Sequence, residues 1–246
     1  KEALKAYHQP FVEQIIADLE KHGVTFIRET AVEAIVQGAE GLVVRGQDLN
    51  IETDWVLDAT GRVPNVDNLG LEEVGVNYTP AGITVDDYLR TSVPNIYASG
   101  DVIDKVQPKL TPTAVFESIY LMHTFAGETT DPIVYPAIPS VVFTSPRLAQ
   151  VGVTVAEAEA NPELYTIETN HIPDDWYRQV DKETIGDNIL IFDKAHKLVG
   201  ATEVSNKADD VINTLLPAIE FKFGPAEIER MVYLFPSISS SAWGQL

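Results

Sequence analysis

The chain of 246 residues contains no cysteine. This absence excludes a disulfide framework, a thiolate metal site and a cysteine nucleophile within these residues. The sequence also lacks any apolar run of roughly 18 to 20 residues, the length that a membrane-spanning helix needs. It begins Lys1-Glu2-Ala3-Leu4, without an initiator methionine or the apolar core of a signal peptide. We therefore expect a segment of a longer, cytoplasmic protein that does not enter a membrane.

Positive charge is scarce: 17 basic residues stand against 37 acidic ones, for a formal net charge of −20. Such a surface repels phosphate backbones, so we expect no nucleic-acid partner. The acidic residues are spread along the chain, which indicates a solvated surface and not an acidic tail. The five histidines do not have the spacing of a metal site, so no metal ligands are predicted.

Apolar periodicity divides the chain into two patterns. A helix near residues 10–19 precedes strands, as in the second half of a nucleotide-binding domain, and a second helix is predicted over 113–126. The predicted strands of this first part are 24–28, 30–36, 42–45, 55–59, 83–85 and 96–98. The proline-containing stretch 129–139 indicates a domain boundary.

Beyond that boundary, strands and helices follow in the manner of an α+β layer. The predicted strands are 140–143, 164–170, 188–192 and 198–203, and the predicted helices are 155–160, 207–223 and 226–233. Pro217 lies inside the second of these helices and is expected to kink or split it, because proline lacks the amide that continues the helix.

Two turns carry residue types suited to nucleotide binding. In the first, Gly61 follows a predicted strand and permits close approach of a cofactor, and Arg62 offers planar donors for phosphate or ribose oxygens. In the second, Gly100 precedes Asp101, whose carboxylate can accept hydrogen bonds from sugar hydroxyls. Taken alone, the first is better interpreted as a turn that closes a strand, and the second is equally well interpreted as a helix cap.

The order of these two turns and of the motifs that follow them along the chain is more specific for a family than either turn alone. Gly-Arg-x-Pro-Asn at 61–65, Ile-Tyr-Ala-x-Gly-Asp at 96–101, Leu-Thr-Pro at 110–112 and Ile-Pro-Ser-Val-Val-Phe from residue 138 together resemble the pyridine nucleotide–disulfide oxidoreductases. This family includes glutathione reductase, dihydrolipoamide dehydrogenase and mercuric reductase. The resemblance implies an α/β plus α+β fold, the C-terminal part of a two-dinucleotide-binding-domain flavoprotein followed by an α+β dimerisation domain. It assigns residues 1–65 to the NAD(P)-binding domain, 66–130 to the FAD-binding domain and 131–246 to the dimerisation domain.

The resemblance also implies cofactors, partners and site residues. FAD and NAD(P)H are the expected cofactors, and a homodimer through the C-terminal domain is the expected assembly. The residues expected at FAD are Gly100, Asp101, Leu110, Thr111 and Pro112. Those expected at the nicotinamide nucleotide are Gly61, Arg62 and Val141.

One departure from the family bears on catalysis. Members carry a His–Pro pair with a Glu shortly after it, which serve as acid–base catalyst, whereas this chain has Phe235 before Pro236 and Ser240 at the Glu position. Neither side chain can transfer a proton near neutral pH, so no catalytic residue is predicted. Three interpretations remain. The first is an FAD-dependent NAD(P)H oxidoreductase with an unidentified small-molecule electron acceptor, inactive as this segment alone. The others are a catalytically inactive dimerisation module and a flavoprotein that has lost catalysis and kept its scaffold.

Overall fold

The computed structural model describes residues 3–246, which form two compact units. One unit combines residues 3–59 with Pro139–Leu246, and the other comprises Thr60–Ile138. Each unit has its own apolar core. No helix among the described residues is long and apolar enough to cross a membrane.

The first unit begins with helix α1, Gln9–Lys21. Its apolar residues recur on one face, and Phe11, Val12, Ile15 and Ile16 are buried there. They share a core cluster with residues of the large sheet described below, including Leu148. The predicted N-terminal helix is therefore confirmed.

A three-stranded antiparallel sheet follows, with strand order β1-β2-β3. Its strands are β1 Ala34–Gln37, β2 Leu42–Gly46 and β3 Leu49–Thr53. The predicted strands 24–28 and 55–59 are wrong, because neither stretch pairs with another strand among the described residues. A strand requires a neighbour for its backbone hydrogen bonds, and without one Trp55 and Leu57 are 87% and 90% exposed.

The centre of the first unit is a five-stranded antiparallel sheet of order β6-β7-β10-β9-β8. The strands are β6 Ser140–Val142, β7 Arg147–Gly152, β8 Tyr165–His171, β9 Asp187–Asp193 and β10 Leu198–Ser205. Sequence periodicity predicted four of them and missed β7. The helices of this region are α4 Val155–Ala160, α5 Trp176–Val180, α6 Ala208–Glu220, α7 Pro225–Ile228 and α8 Ile238–Trp243.

Helix α6 packs on the central strands through Val211, Ile212 and Leu215, all of which are buried. It runs past Pro217 without being divided, so the expected split is wrong. The proline lies within one turn of the helix end, where the loss of one backbone hydrogen bond is tolerated while the buried face stays in place. The predicted helix 226–233 is also too long, since α7 ends at Ile228.

The second unit contains α2 Leu71–Val74, a hairpin of β4 Tyr78–Thr79 and β5 Gly82–Ile83, and the long helix α3 Thr111–Phe125. Its core consists of Val76, Ile83, Leu89, Ala98, Ile103 and Leu121. The predicted strand 96–98 is wrong: this stretch has a single bridge, between Tyr97 and Arg90. Its burial in the core accounts for the apolar sequence that suggested a strand.

Candidate functional site

A groove of about 490 Å³ runs along helix α3 in the second unit. It is lined by Asp101, Thr111, Ala114, Val115, Ser118, Ile119 and Met122. Val115, Ile119 and Met122 recur at helical spacing and are exposed. The groove thus combines an apolar wall with a carboxylate near the beginning of α3.

Asp101 reaches the groove because the chain turns sharply before it. Ser99 is extended, whereas Gly100 has φ +78°, a left-handed conformation that glycine adopts without strain, and opens a 3-10 turn through Val102. A Cβ at Gly100 would lie 3.4 Å from the Cβ of Ala114, so the turn approaches α3 closely. The Asp101 side chain is exposed and forms no ion pair within residues 3–246.

Helix α3 begins beside this turn without a side-chain cap. Its N-cap residue is Leu110, which has no polar side-chain atom, and Pro112 lies in the first turn. The first turn carries no acidic residue. The first amides of a helix have no intrahelical acceptor and carry partial positive charge, so this end of α3 can interact with an anionic or electron-rich group.

Beneath the groove lies a buried carboxylate that the sequence analysis missed. Glu117 is fully buried in α3. Its Oε2 accepts a hydrogen bond from the Gly100 amide at 2.5 Å, and its Oε1 accepts from Lys105 Nζ at 2.6 Å and from the Tyr135 hydroxyl at 2.8 Å. Burial and the adjacent Glu117 carboxylate raise the pKa of Tyr135, which keeps the phenol protonated.

The signal for Glu117 was present in the helical spacing of α3. The buried residues of this helix are Thr113, Glu117 and Leu121, which lie four residues apart on one face. A Glu on the face that points into the core requires a buried partner. Its side-chain partners Lys105 and Tyr135 lie 12 and 18 residues away, in segments without regular structure, so the spacing of α3 does not predict them.

The structure brings together the five residues predicted at FAD: Gly100 and Asp101 form the turn, and Leu110, Thr111 and Pro112 begin α3. The three residues predicted at the nicotinamide nucleotide are not among those that line the groove. Gly61 has φ +144° and Arg62 is exposed, both in an irregular stretch. Val141 lies in β6 of the first unit, paired with Ala149 of β7. That nucleotide site remains a prediction.

The C-terminal segment has little capacity for proton transfer. Phe235 is 65% exposed, and its ring centroid lies 5.6 Å from that of Trp176 in α5. Ser240 is buried and exchanges hydrogen bonds with Ser237 in a reciprocal cap of α8. No cluster of three or more potential metal ligands occurs in the described part of the chain.

Comparison with known proteins identifies the family to which the chain is similar. The model described as pyridine nucleotide-disulphide oxidoreductase matches residues 1–118, and that of the dimerisation domain of the same family matches residues 138–244. The chain is 32% identical to a glutathione reductase from Nostoc sp. over 95% of its residues, and 34% identical to a dihydrolipoyl dehydrogenase from Bacillus subtilis over 96%.

These relatives are longer than the chain, which spans 54% of the first and 51% of the second, about half of each. Among solved structures, the HOCl-induced flavoprotein disulfide reductase RclA from Escherichia coli superposes with a TM-score of 0.87 at 23% identity. The match covers 97% of this chain and 55% of RclA. At this identity the match establishes a shared fold.

Proposed function

Because the chain belongs to the pyridine nucleotide–disulphide oxidoreductase family, we propose that it forms the C-terminal half of an FAD-dependent NAD(P)H oxidoreductase. In this proposal residues 1–65 complete the NAD(P)-binding domain, residues 66–130 complete the FAD-binding domain, and residues 131–246 form the dimerisation domain. Bound FAD would accept a hydride from the nicotinamide. The residues of this chain would bind and orient the FAD.

The observation that carries the proposal is the convergence of the Gly100–Asp101 turn and the start of α3 on one groove. The chemistry of this groove fits a flavin nucleotide. The unpaired Asp101 carboxylate can accept hydrogen bonds from ribitol hydroxyls, and the uncapped amides at Thr111 can face an electron-rich ring system. The groove volume of about 490 Å³ suits part of a dinucleotide. Gly61, Arg62 and Val141 are proposed for the nicotinamide nucleotide.

Exposed apolar residues support a homodimer through the C-terminal domain. Val180, Phe221, Val232 and Leu234 all have most of their side-chain surface exposed. Large apolar side chains that remain exposed in an isolated subunit are typical of protein interfaces. We propose that a second copy of the protein covers them.

The electron acceptor is proposed to be a small molecule whose reduction needs no proton from the C-terminal segment. The reason is that Phe235 has no titratable atom and that the Ser240 hydroxyl is committed to capping α8. These two observations support an acceptor whose reduction does not use the family's His–Glu pair.

The test uses the complete protein with a matched pair of variants. The purified protein should be yellow and should bleach when NADH or NADPH is added under argon. Asp101→Ala should weaken FAD binding about tenfold or more, because it removes a charged acceptor of sugar hydroxyls. Asp131→Ala, an equal change of charge at an exposed position of the same unit, should bind FAD as the parent does. A colourless protein that cannot be reconstituted with FAD contradicts the proposal.

A further inference from the structure

We infer that Glu117 is a positioning residue, which holds the Gly100–Asp101 turn at the depth where Asp101 meets the sugar-like part of a bound flavin nucleotide. This inference rests on the proposed function. It goes beyond that function because Glu117 itself lies beneath the groove surface and lines none of it. Its influence would pass through the backbone amide of Gly100.

Two hydrogen bonds anchor the backbone on either side of the Asp101 side chain. Before it, the Gly100 amide donates to Glu117 Oε2. After it, Lys109 Nζ donates to the Asp101 carbonyl oxygen at 3.0 Å and to the Ala81 carbonyl oxygen at 2.6 Å. The Asp101 carboxylate has no ion pair of its own in the described residues, so the backbone determines where it points.

Gly100 makes this anchoring necessary. With φ +78° and no side chain, it has access to more backbone conformations than any other residue. Nothing in its own covalent structure fixes the turn, which approaches α3 so closely that an added Cβ would lie 3.4 Å from the Cβ of Ala114. The hydrogen bond to Glu117 therefore selects one conformation and ties it to the helix that forms the groove wall.

A carboxylate is required at position 117, because all three of its partners are donors. Oε1 faces the Lys105 ammonium group and the Tyr135 hydroxyl, and Oε2 faces the Gly100 amide. An ionised carboxylate accepts on both oxygens, whereas a glutamine has one oxygen and a donating NH₂ group. Glutamine fits the same volume but leaves either Gly100 or the Lys105–Tyr135 side facing another donor.

The experiment compares Glu117→Gln with Leu121→Ala in the complete protein freed of flavin. Leu121 is buried one turn further along α3 in the apolar core of this unit, so its truncation lowers stability and leaves the hydrogen bond from the Gly100 amide to Glu117 in place. We expect Glu117→Gln to raise the dissociation constant for FAD about tenfold, which corresponds to a lost hydrogen bond of a charged group. Leu121→Ala should lower the melting temperature of the apoprotein and leave that constant within about twofold.

Two results would overturn the inference. One is an FAD affinity of Glu117→Gln within about twofold of the parent. The other is an equal loss of FAD affinity in Glu117→Gln and Leu121→Ala when the two variants have the same melting temperature. A parent protein that binds no FAD would instead reject the proposed function. In that case amide hydrogen exchange at Gly100 still tests the anchoring, because it should accelerate about tenfold in Glu117→Gln and stay unchanged in Leu121→Ala. Unchanged exchange in Glu117→Gln would reject the anchoring by itself.

Discussion

Arg178 is a buried guanidinium group that holds α5 against the large sheet, and its removal tests how this unit is stabilised. Its Nη2 donates to Glu203 Oε1 at 2.5 Å and to Ser205 Oγ at 2.8 Å. Its Nε lies 3.2 Å from Glu183 Oε1. Glu203 also accepts from Asn188 at 3.0 Å. One cation therefore faces two carboxylates, and all three side chains are buried.

Arg178→Met keeps most of the length of the side chain and removes its charge. Two well-formed hydrogen bonds of a charged group contribute about 1.5–3 kcal/mol each. Removing one partner of a buried ion pair generally costs about 3–5 kcal/mol, because the remaining charge stays buried without its counter-ion. The first argument gives a loss of about 3–6 kcal/mol in the free energy of unfolding and the second about 3–5 kcal/mol, a large part of the roughly 5–15 kcal/mol that stabilises a typical domain.

The decrease in the free energy of unfolding caused by Arg178→Met should depend on pH. Burial raises the pKa of Glu183 above its ordinary value of 4.5, and Arg178 opposes this rise. A carboxyl whose pKa is raised in the folded state binds its proton more tightly there than in the unfolded chain, so stability falls as pH increases from 4.5 to the raised pKa. Without Arg178 the pKa rises further. The variant should therefore be closest to the parent near pH 4.5 and lose most at higher pH.

Urea unfolding followed by tryptophan fluorescence measures this difference, since Trp176 lies in α5 itself. The matched control is Arg28→Met, which removes the same group from an ion pair with Glu13 whose side chains are 50% and 54% exposed. Exposed pairs contribute little to stability, so the control should unfold as the parent does. Equal losses in both variants, or a loss from Arg178→Met that does not change with pH, would refute the reasoning.

Two further predictions concern the same unit. Gly152→Ala should lower the free energy of unfolding by at least about 3 kcal/mol. Gly152 has φ +75°, and the new Cβ would lie 2.2 Å from the backbone oxygen of Val199 in β10. The control is Gly23→Ala, also at positive φ but in open space, which should lower the free energy of unfolding by about 1 kcal/mol. Thermal unfolding checks both. The hydrogen bond to Asp187 raises the pKa of His171 above 6.5, so its stabilising effect is present below pH 6.5 and is lost as pH rises through the raised pKa. His171→Gln should thus lower the melting temperature at pH 6 more than at pH 8, and the reverse order would contradict this assignment.

The sequence predicted most of the large sheet, whose strands have their partners within the chain, but it missed β7. Helix α3 and the strands β8, β9 and β10 are complete in their apolar periodicity, and each finds its neighbours among the described residues. The stretches 24–28 and 55–59 have equally apolar sequences, but no strand of the described chain pairs with them. Local pattern establishes that a segment can be a strand, whereas pairing decides whether it is one.

The sequence likewise predicted one part of the candidate site, the turn, and missed the other part, the buried support beneath it. Glycine and aspartate at the end of an apolar stretch indicated the Gly100–Asp101 turn, because their backbone and hydrogen-bonding properties follow from residue type. The support beneath it depends on tertiary contacts of Glu117 with Lys105 and Tyr135. Neither partner lies at helical spacing from Glu117, so their meeting follows from the packed unit alone.

Within the described chain, the C-terminal segment holds neither Phe235 nor Ser240 through a charged partner. Ser240 fills a buried position as a neutral residue, accepting from the Ser237 amide and donating to its carbonyl oxygen, so no charge is buried there. Phe235 needs no carboxylate to orient it, and its ring contacts Trp176 instead. Trp176 is in turn fixed by α5, which the Arg178 cluster anchors to the sheet. Phe235 therefore offers no titratable atom and, at 65% exposure, adds to the exposed apolar surface of this unit, so both properties follow from one side chain.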